Sequence, residues 1–247
     1  FMAVLMLAGA VSAVVVLGRK VGGHRKVAGV IEEVERFDEL QVLYVALRLD
    51  GRWPGHQAGQ FAFVNFDTKE GAHPFTISSA WQGDGHITFL IKELGDYTRT
   101  LPDYLAVGHA VEIEGPYGQF TFQGPKRRQI WVGAGIGITP FVARMKTLAG
   151  APDGKQIDLF HSTTVQDPRA IDKMEDDAAS AGVRLHVLHD ARDGRLDAAR
   201  LCAAVPDWRE ADVWFCGPPA FGRALKAALV AQGLPAADFH QELFEMR

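Results

Sequence analysis

Only two cysteines, Cys202 and Cys216, occur in 247 residues, and they lack the paired spacing of a zinc or iron–sulfur site. The four thiolates of a plant-type iron–sulfur cluster therefore cannot come from this chain, and no metal site is expected in it. Charge of one sign is also missing: 26 Lys plus Arg against 30 Asp plus Glu leave a net charge of -4, which gives no reason to expect nucleic acid. No internal repeat or low-complexity tract is evident, although Ala-rich stretches occur in the second half. A local absence is sharper. Residues 2–18 contain no charged residue and no histidine. The run MAVLMLAGAVSAVVVLG lies at the short limit of the roughly 17 to 25 residues that cross a bilayer as a helix. It has no polar face of the kind an amphipathic core helix shows. Basic residues (Arg19, Lys20, His24, Arg25, Lys26) follow the run, whereas a secretory signal carries its charge in front. The expectation is a transmembrane helix over residues 1–19 with everything after it cytoplasmic. Because the chain starts with Phe1 rather than Met, this helix is read as the last of several in a longer protein.

What is present divides the rest into two halves with different periods. Between residues 26 and 124, short blocks rich in β-branched and aromatic residues (VAGVIEEV, LQVLYVALRL, QFAFVNF, FTISS, HITFLIK, AVEIEG) are separated by turn clusters such as Asp50-Gly51 and Gly83-Asp84-Gly85. With one helical interruption near residues 97–105, they predict a small antiparallel β barrel. From residue 125 to 247 the pattern becomes strand, helix, strand, helix, which predicts an α/β domain: a doubly wound parallel sheet with helices on both faces. Ligands of such sheets bind beyond the carboxyl ends of the strands. VGAGIGITP and FCGPP, each following a strand, are thus expected to converge on one crevice.

The motifs are individually weak. Gly133-Ala134-Gly135-Ile136-Gly137-Ile138-Thr139-Pro140 joins a strand to a helix, and its glycines let backbone N–H groups approach a pyrophosphate. Ile138 stands where the strict fingerprint has its last glycine, and a structural turn would read the same way. Pro140 suits an early helical position, where no N–H is needed. His73-Pro74-Phe75-Thr76-Ile77-Ser78-Ser79 reads as an edge strand with a half-buried histidine. Ile91-Lys92-Glu93-Leu94-Gly95-Asp96-Tyr97-Thr98 reads as a strand ending in a glycine turn and a helix cap, and Gly115-Pro116-Tyr117-Gly118 as a turn.

Taken in order, HPFTISS, IKELGDYT, GPYG, GAGIGITP, FCGPP and a final aromatic resemble the landmarks of the ferredoxin–NADP reductase superfamily over nearly all of the chain after Lys26. The His-Pro-Phe-Thr form, with an apolar segment in front, resembles the ferric reductase and NADPH oxidase branch. The resemblance implies an FAD-binding barrel followed by an NAD(P)H-binding domain. Phe75 would lie against the isoalloxazine, the Thr76 hydroxyl would sit near its N5, and His73, with Pro74 and Ser79 in the same segment, would be close to the FAD phosphates. Lys92, Gly95 and Thr98 match the segment that wraps the pyrophosphate. Gly133, Gly135, Gly137, Thr139 and Pro140 would cradle the nicotinamide dinucleotide, with Cys216, Gly217 and Pro218 lining the nicotinamide site. Phe244 matches a terminal aromatic covering the flavin, with a packed core residue as the alternative.

Thr76, Cys216 and Phe244 are thus the candidate catalytic residues. The chemistry implied is hydride transfer from NADPH to FAD, then release of single electrons. NADPH is favoured over NADH because the second strand of the α/β half ends in His161, Ser162, Thr163 and Thr164, with no acid to read a ribose hydroxyl. Arg195 could meet a 2′-phosphate, or could simply be solvated. In the resembled branch, electrons pass to transmembrane heme and end on ferric iron or oxygen; any heme ligands would lie upstream of this chain. The expectation is therefore a multi-pass cell-membrane protein in contact with the lipid bilayer. Two other readings stand beside it: a flavoprotein reductase serving a separate cytoplasmic redox partner, and a membrane-tethered flavin or nucleotide sensor that does not turn over.

Overall fold

The computed structural model describes residues 25–242. The apolar run at residues 2–18 and the terminal Phe244 lie outside them, so the expectations for both rest on sequence. Among the described residues no helix is long and apolar enough to cross a membrane.

The first half folds as β1 (Lys26–Phe37), β2 (Val42–Leu49), β3 (Phe61–Asp67), β4 (Gly71–Thr76), β5 (His86–Lys92), α1 (Asp96–Tyr104) and β6 (Ala110–Tyr117). Its antiparallel strands run in the order β4-β3-β6-β1-β2-β5. Alternation does the folding: Ile87, Phe89 and Ile91 of β5 point into a core shared with Val45, Leu47, Val64 and Ile113. The two ends of the sheet meet directly after HPFT, where Ile77 bridges to Phe89 and the Ser78 N–H donates to the Thr88 carbonyl at 2.8 Å. That closure makes the predicted barrel. Pro74 is tolerated because β4 pairs along its length only with β3. GPYG is not the free turn that its composition suggests. Gly115, Pro116 and Tyr117 continue β6, with a cis bond at Gly115–Pro116 and Tyr117 in register with Phe61.

The second half contains β7 (Arg128–Ala134), α2 (Thr139–Gly150), β8 (Gln156–Thr163), α3 (Pro168–Ala181), β9 (Arg184–His189), α4 (Asp190–Asp193), α5 (Ala198–Ala204), β10 (Asp212–Cys216), α6 (Pro219–Ala231) and β11 (Phe239–Glu242). All five strands are parallel, in the order β11-β10-β7-β8-β9. The chain leaves β7 in one direction for β8 and β9 and returns to its other side for β10 and β11, so the strand order reverses between β7 and β10. α2 and α3 cover one face with Trp131 and Leu159, and α5 and α6 cover the other with Ile130, Val132 and Phe215. A single helical turn, α4, precedes α5, and Gly194 takes φ +73 between them.

The connection between the halves packs with the second. Phe120 and Phe122 lie 5.1 to 6.0 Å, ring to ring, from Trp131, Phe141 and Trp214. Each such burial stabilises by roughly 1.5 to 3 kcal/mol. Across the two halves, Glu35 of β1 meets Lys173 at 2.7 Å and Arg169 at 3.5 Å, both from α3. The same two cations lie over the Phe37 ring, each 5.1 Å from its centroid.

Candidate functional site

Between the halves opens a cleft of about 400 Å³. The barrel supplies Tyr44, Ser78, Leu90 and Lys92 to its wall, and the α/β domain supplies Gly135, Ile136, His161 and Thr163. The end of HPFTISS and the start of IKELG thus oppose the glycine turn across this cleft.

On the sheet side the geometry is set by backbone proximity. Gly133 at the end of β7 is in register with Cys216 at the end of β10. A Cβ on Gly137 would run into the Cys216 carbonyl, and one on Gly217 would meet the Ala134 Cβ at 2.7 Å. The two turns thus interlock at the strand-order reversal, as anticipated for VGAGIGITP and FCGPP. Gly135 takes φ +56 with nothing within 4 Å of the position a Cβ would occupy. The turn consequently presents bare backbone to the cleft, which fits a dinucleotide phosphate. Thr139 is buried, and its hydroxyl donates to the Ile136 carbonyl at 2.8 Å, which pins the turn to the start of α2. Pro140 follows in the first helical turn, and Pro218 precedes α6.

His161 and Glu242 were not assigned roles from sequence. His161 Nδ1 lies 3.2 Å from the Gly133 carbonyl. A carbonyl only accepts, so Nδ1 carries the proton. Burial lowers the imidazole to a pKa of about 4, and it is neutral at ordinary pH. Glu242, in register with Cys216, has a buried Oε2 without a hydrogen-bond partner among the described residues. Burial pushes its carboxyl up to about 8. The Cys216 thiol is raised by burial first and by the Glu242 charge second. It is therefore a neutral, polarisable wall rather than a thiolate. The available sequence signal for Glu242 was an acid on the last strand two residues before the terminal aromatic.

On the barrel side the polar side chains are already engaged. Ser78 Oγ and Thr88 Oγ1 are 2.7 Å apart, and Ser79 Oγ accepts from the Thr88 N–H at 3.1 Å. His56, another residue that sequence reasoning passed over, braces this segment. Its Nε2 donates to the Ser79 carbonyl at 3.0 Å, while Nδ1 accepts from Trp53 Nε1 at 3.3 Å. Lys92 Nζ donates to the Leu40 carbonyl at 2.6 Å, and burial lowers its pKa. The N–H groups of Leu94 and Gly95 both donate to Thr98 Oγ1 at 3.0 Å. Two donors at the start of α1 thus converge on one oxygen, the arrangement that a phosphate oxygen also takes. His73 stacks on Tyr97 with ring centroids 4.2 Å apart. Pro74 is exposed, Thr76 closes β4, and Phe75 packs partly against Phe66 and Phe89 of the barrel core.

Arg195 is not among the residues that line the cleft. It is 88% exposed and lies 3.6 Å from Asp190, whose other carboxylate oxygen accepts from the Ser162 hydroxyl at 3.0 Å.

A closed antiparallel barrel, a parallel sheet that reverses order at its glycine turn, and a cleft between them define a class. That class is one of fold, the two-domain arrangement also seen in the FAD/NAD binding domain of a nitric oxide dioxygenase and in a ferredoxin–NADP reductase. Residues 33–121 match the family model of an FAD-binding domain. The chain is 24% identical over 232 residues to the propane 2-monooxygenase reductase component of Rhodococcus jostii, covering 85% of this chain and 62% of that protein. It is 27% identical over 241 residues to the ferredoxin reductase component of the 3-ketosteroid-9-alpha-monooxygenase of Mycobacterium tuberculosis, covering 91% and 66%. The chain thus spans less than two thirds of either relative. The fold matches the flavohem-like FAD/NAD binding domain of nitric oxide dioxygenase from Vibrio cholerae with a TM-score of 0.76 at 21% identity, covering 88% of this chain and 98% of that one.

These findings correct the expected multi-pass cell-membrane location. The two relatives named are reductase components of oxygenases. That location had rested on one short apolar run and the basic cluster after it, a pattern that hydropathy alone cannot tie to a multi-pass protein. The likeness to reductases of this fold stands, while the ferric reductase and NADPH oxidase branch, its heme acceptor and the lipid contact gain no support from these relatives.

Proposed function

We propose that this chain is the flavin reductase of an electron-transfer pair, taking electrons from NAD(P)H and delivering them to a separate redox protein. The carrying observation is the shared cleft, in which Ser78 and Lys92 of the barrel face Gly135 and His161 of the sheet. Bound FAD would supply the chemistry, accepting a hydride from the nicotinamide and releasing electrons one at a time.

The chain's own residues bind, orient and exclude water. Gly135 offers unshielded backbone N–H to phosphate, and the Leu94 and Gly95 N–H pair, now held by Thr98 Oγ1, offers a second position once a phosphate oxygen takes the place of that hydroxyl. Thr76 at the end of β4 and Cys216 at the end of β10 stand at the two strand ends that border the reacting rings. His73, Phe75 and Thr98 lie on the barrel segment assigned to the flavin, and Gly217 and Pro218 border the nicotinamide. Glu242, kept largely protonated below its raised pKa, would donate a hydrogen bond where an ionised carboxylate could not. Delivery to a separate protein is favoured because the similar proteins are reductase components of multi-part oxygenases.

The test is anaerobic mixing of the full chain, loaded with FAD, with NADH or NADPH, followed by addition of an oxidised one-electron acceptor such as ferricyanide. Flavin absorbance should bleach and then return with two acceptor equivalents reduced. Tight flavin binding without bleaching by either nucleotide would sink the proposal and favour a sensor.

A further inference from the structure

The sequence expectation of NADPH rested on a missing acid at the end of the second strand of the α/β half. In the folded chain the acid is there, supplied by the third strand. Ser162 is in register with Ala134, next to the glycine turn, and Thr163 is in register with His189. Asp190 directly follows His189 and receives the Ser162 hydroxyl at 3.0 Å. Its carboxylate is therefore held over the heads of β8 and β9 and is only 21% exposed. A dinucleotide with its pyrophosphate on the turn after β7 and its nicotinamide toward Cys216 on β10 must lay its adenosine the opposite way, across β8 and β9. Two strand spacings of about 4.8 Å carry the adenosine ribose to this carboxylate.

We infer that the nucleotide donor is NADH and that Asp190 selects it, its carboxylate accepting hydrogen bonds from the adenosine ribose hydroxyls while Ser162 fixes its orientation. This rests on the proposed reductase function and names the substrate of that same site. A carboxylate accepts from a ribose diol and repels a 2′-phosphate. The arginines of the β9–α5 connection and the first turn of α5 do not offset that repulsion. Arg195 faces Asp190 itself at 3.6 Å, Arg192 is paired with Asp193 at 2.9 Å, and Arg200 donates to the Gly194 carbonyl at 3.1 Å. Arg195, the residue considered from sequence for a 2′-phosphate, therefore lies against the group that would exclude one.

The experiment measures anaerobic flavin reduction in the FAD-loaded full chain against both nucleotides, in the natural chain and in Asp190→Ala, Ser162→Ala and Arg195→Ala. The natural chain should favour NADH by on the order of tenfold or more in the ratio of reduction rate to Kd, the size expected of a hydrogen bond to a charged group. Asp190→Ala should erase most of that ratio through a weaker Kd for NADH. Ser162→Ala should move it the same way by less, which keeps the test alive if Asp190→Ala retains no flavin. A preference for NADPH that Arg195→Ala removes would overturn the inference, as would an unchanged ratio in Asp190→Ala. Failure of both nucleotides to reduce the flavin would count against the reductase reading instead, so the two failures are distinguishable.

Discussion

The barrel edge and the sheet edge meet across one cleft but hold their shape by different means. On the barrel edge, side chains close the structure: Ser78 with Thr88, His56 with the Ser79 carbonyl, Lys92 with the Leu40 carbonyl, Thr98 with two backbone N–H groups. On the sheet edge the turns themselves interlock, Gly137 against Cys216 and Gly217 against Ala134, with no room for added atoms. An edge built of side-chain bonds can exchange one donor or acceptor for another at modest loss. An edge built of touching backbones cannot, because a new Cβ must displace a chain segment.

The sharpest way to break this contrast is Gly137→Ala. Forcing a methyl into the Cys216 carbonyl should destabilise the α/β domain by about 3 kcal/mol and weaken nicotinamide nucleotide binding, measured by chemical denaturation and by titration. A fully stable Gly137→Ala with unchanged nucleotide affinity would dissolve the distinction.

A second effect, of intermediate size, belongs to the sheet edge. The Glu242 carboxyl has a folded-state pKa raised from 4.5 to about 8. Its protonated form is favoured by the fold, so its contribution to stability is complete below pH 4.5 and is lost as pH rises through 8. Denaturation midpoints should fall across that window by the equivalent of roughly 2 kcal/mol, allowing for partial exposure. Glu242→Gln should flatten the fall, and a profile that Glu242→Gln leaves untouched would show that the carboxyl is solvated.

Smallest is the barrel-edge counterpart. Thr98→Ala removes the oxygen on which the Leu94 and Gly95 N–H groups converge. It should cost about 1 kcal/mol of stability, as loss of a helix cap does. Added FAD should restore part of that loss, because phosphate can take over both donors. Equal loss with and without FAD would assign Thr98 a purely structural role.

Much of this was legible before the fold was seen. Alternation along HITFLIK announced a barrel strand, and strand-to-helix glycine turns announced a parallel sheet with a crevice at their ends, because both signals are local and periodic. Ser162 was read correctly as a strand-end hydroxyl, but its partner is 28 residues away and the pairing depends on β8 and β9 lying side by side. His56 was passed over for the same reason: a lone histidine in a loop has no period, and its role arises from Ser79 and Trp53 arriving on either side of it. The membrane expectation failed differently, since an apolar run reports hydrophobicity and not the protein to which it belongs.

What the amino-acid order determined by itself was the inventory of elements and the positions of the glycine turns that end β7 and β10, since side-chain period and glycine tolerance act over a few residues. Tertiary structure decided which charges stand at the ends of β8 and β9 and which acid is buried beside Cys216. Those properties depend on distances between strands that are remote in the chain, and on water excluded only once the two halves have closed around the cleft.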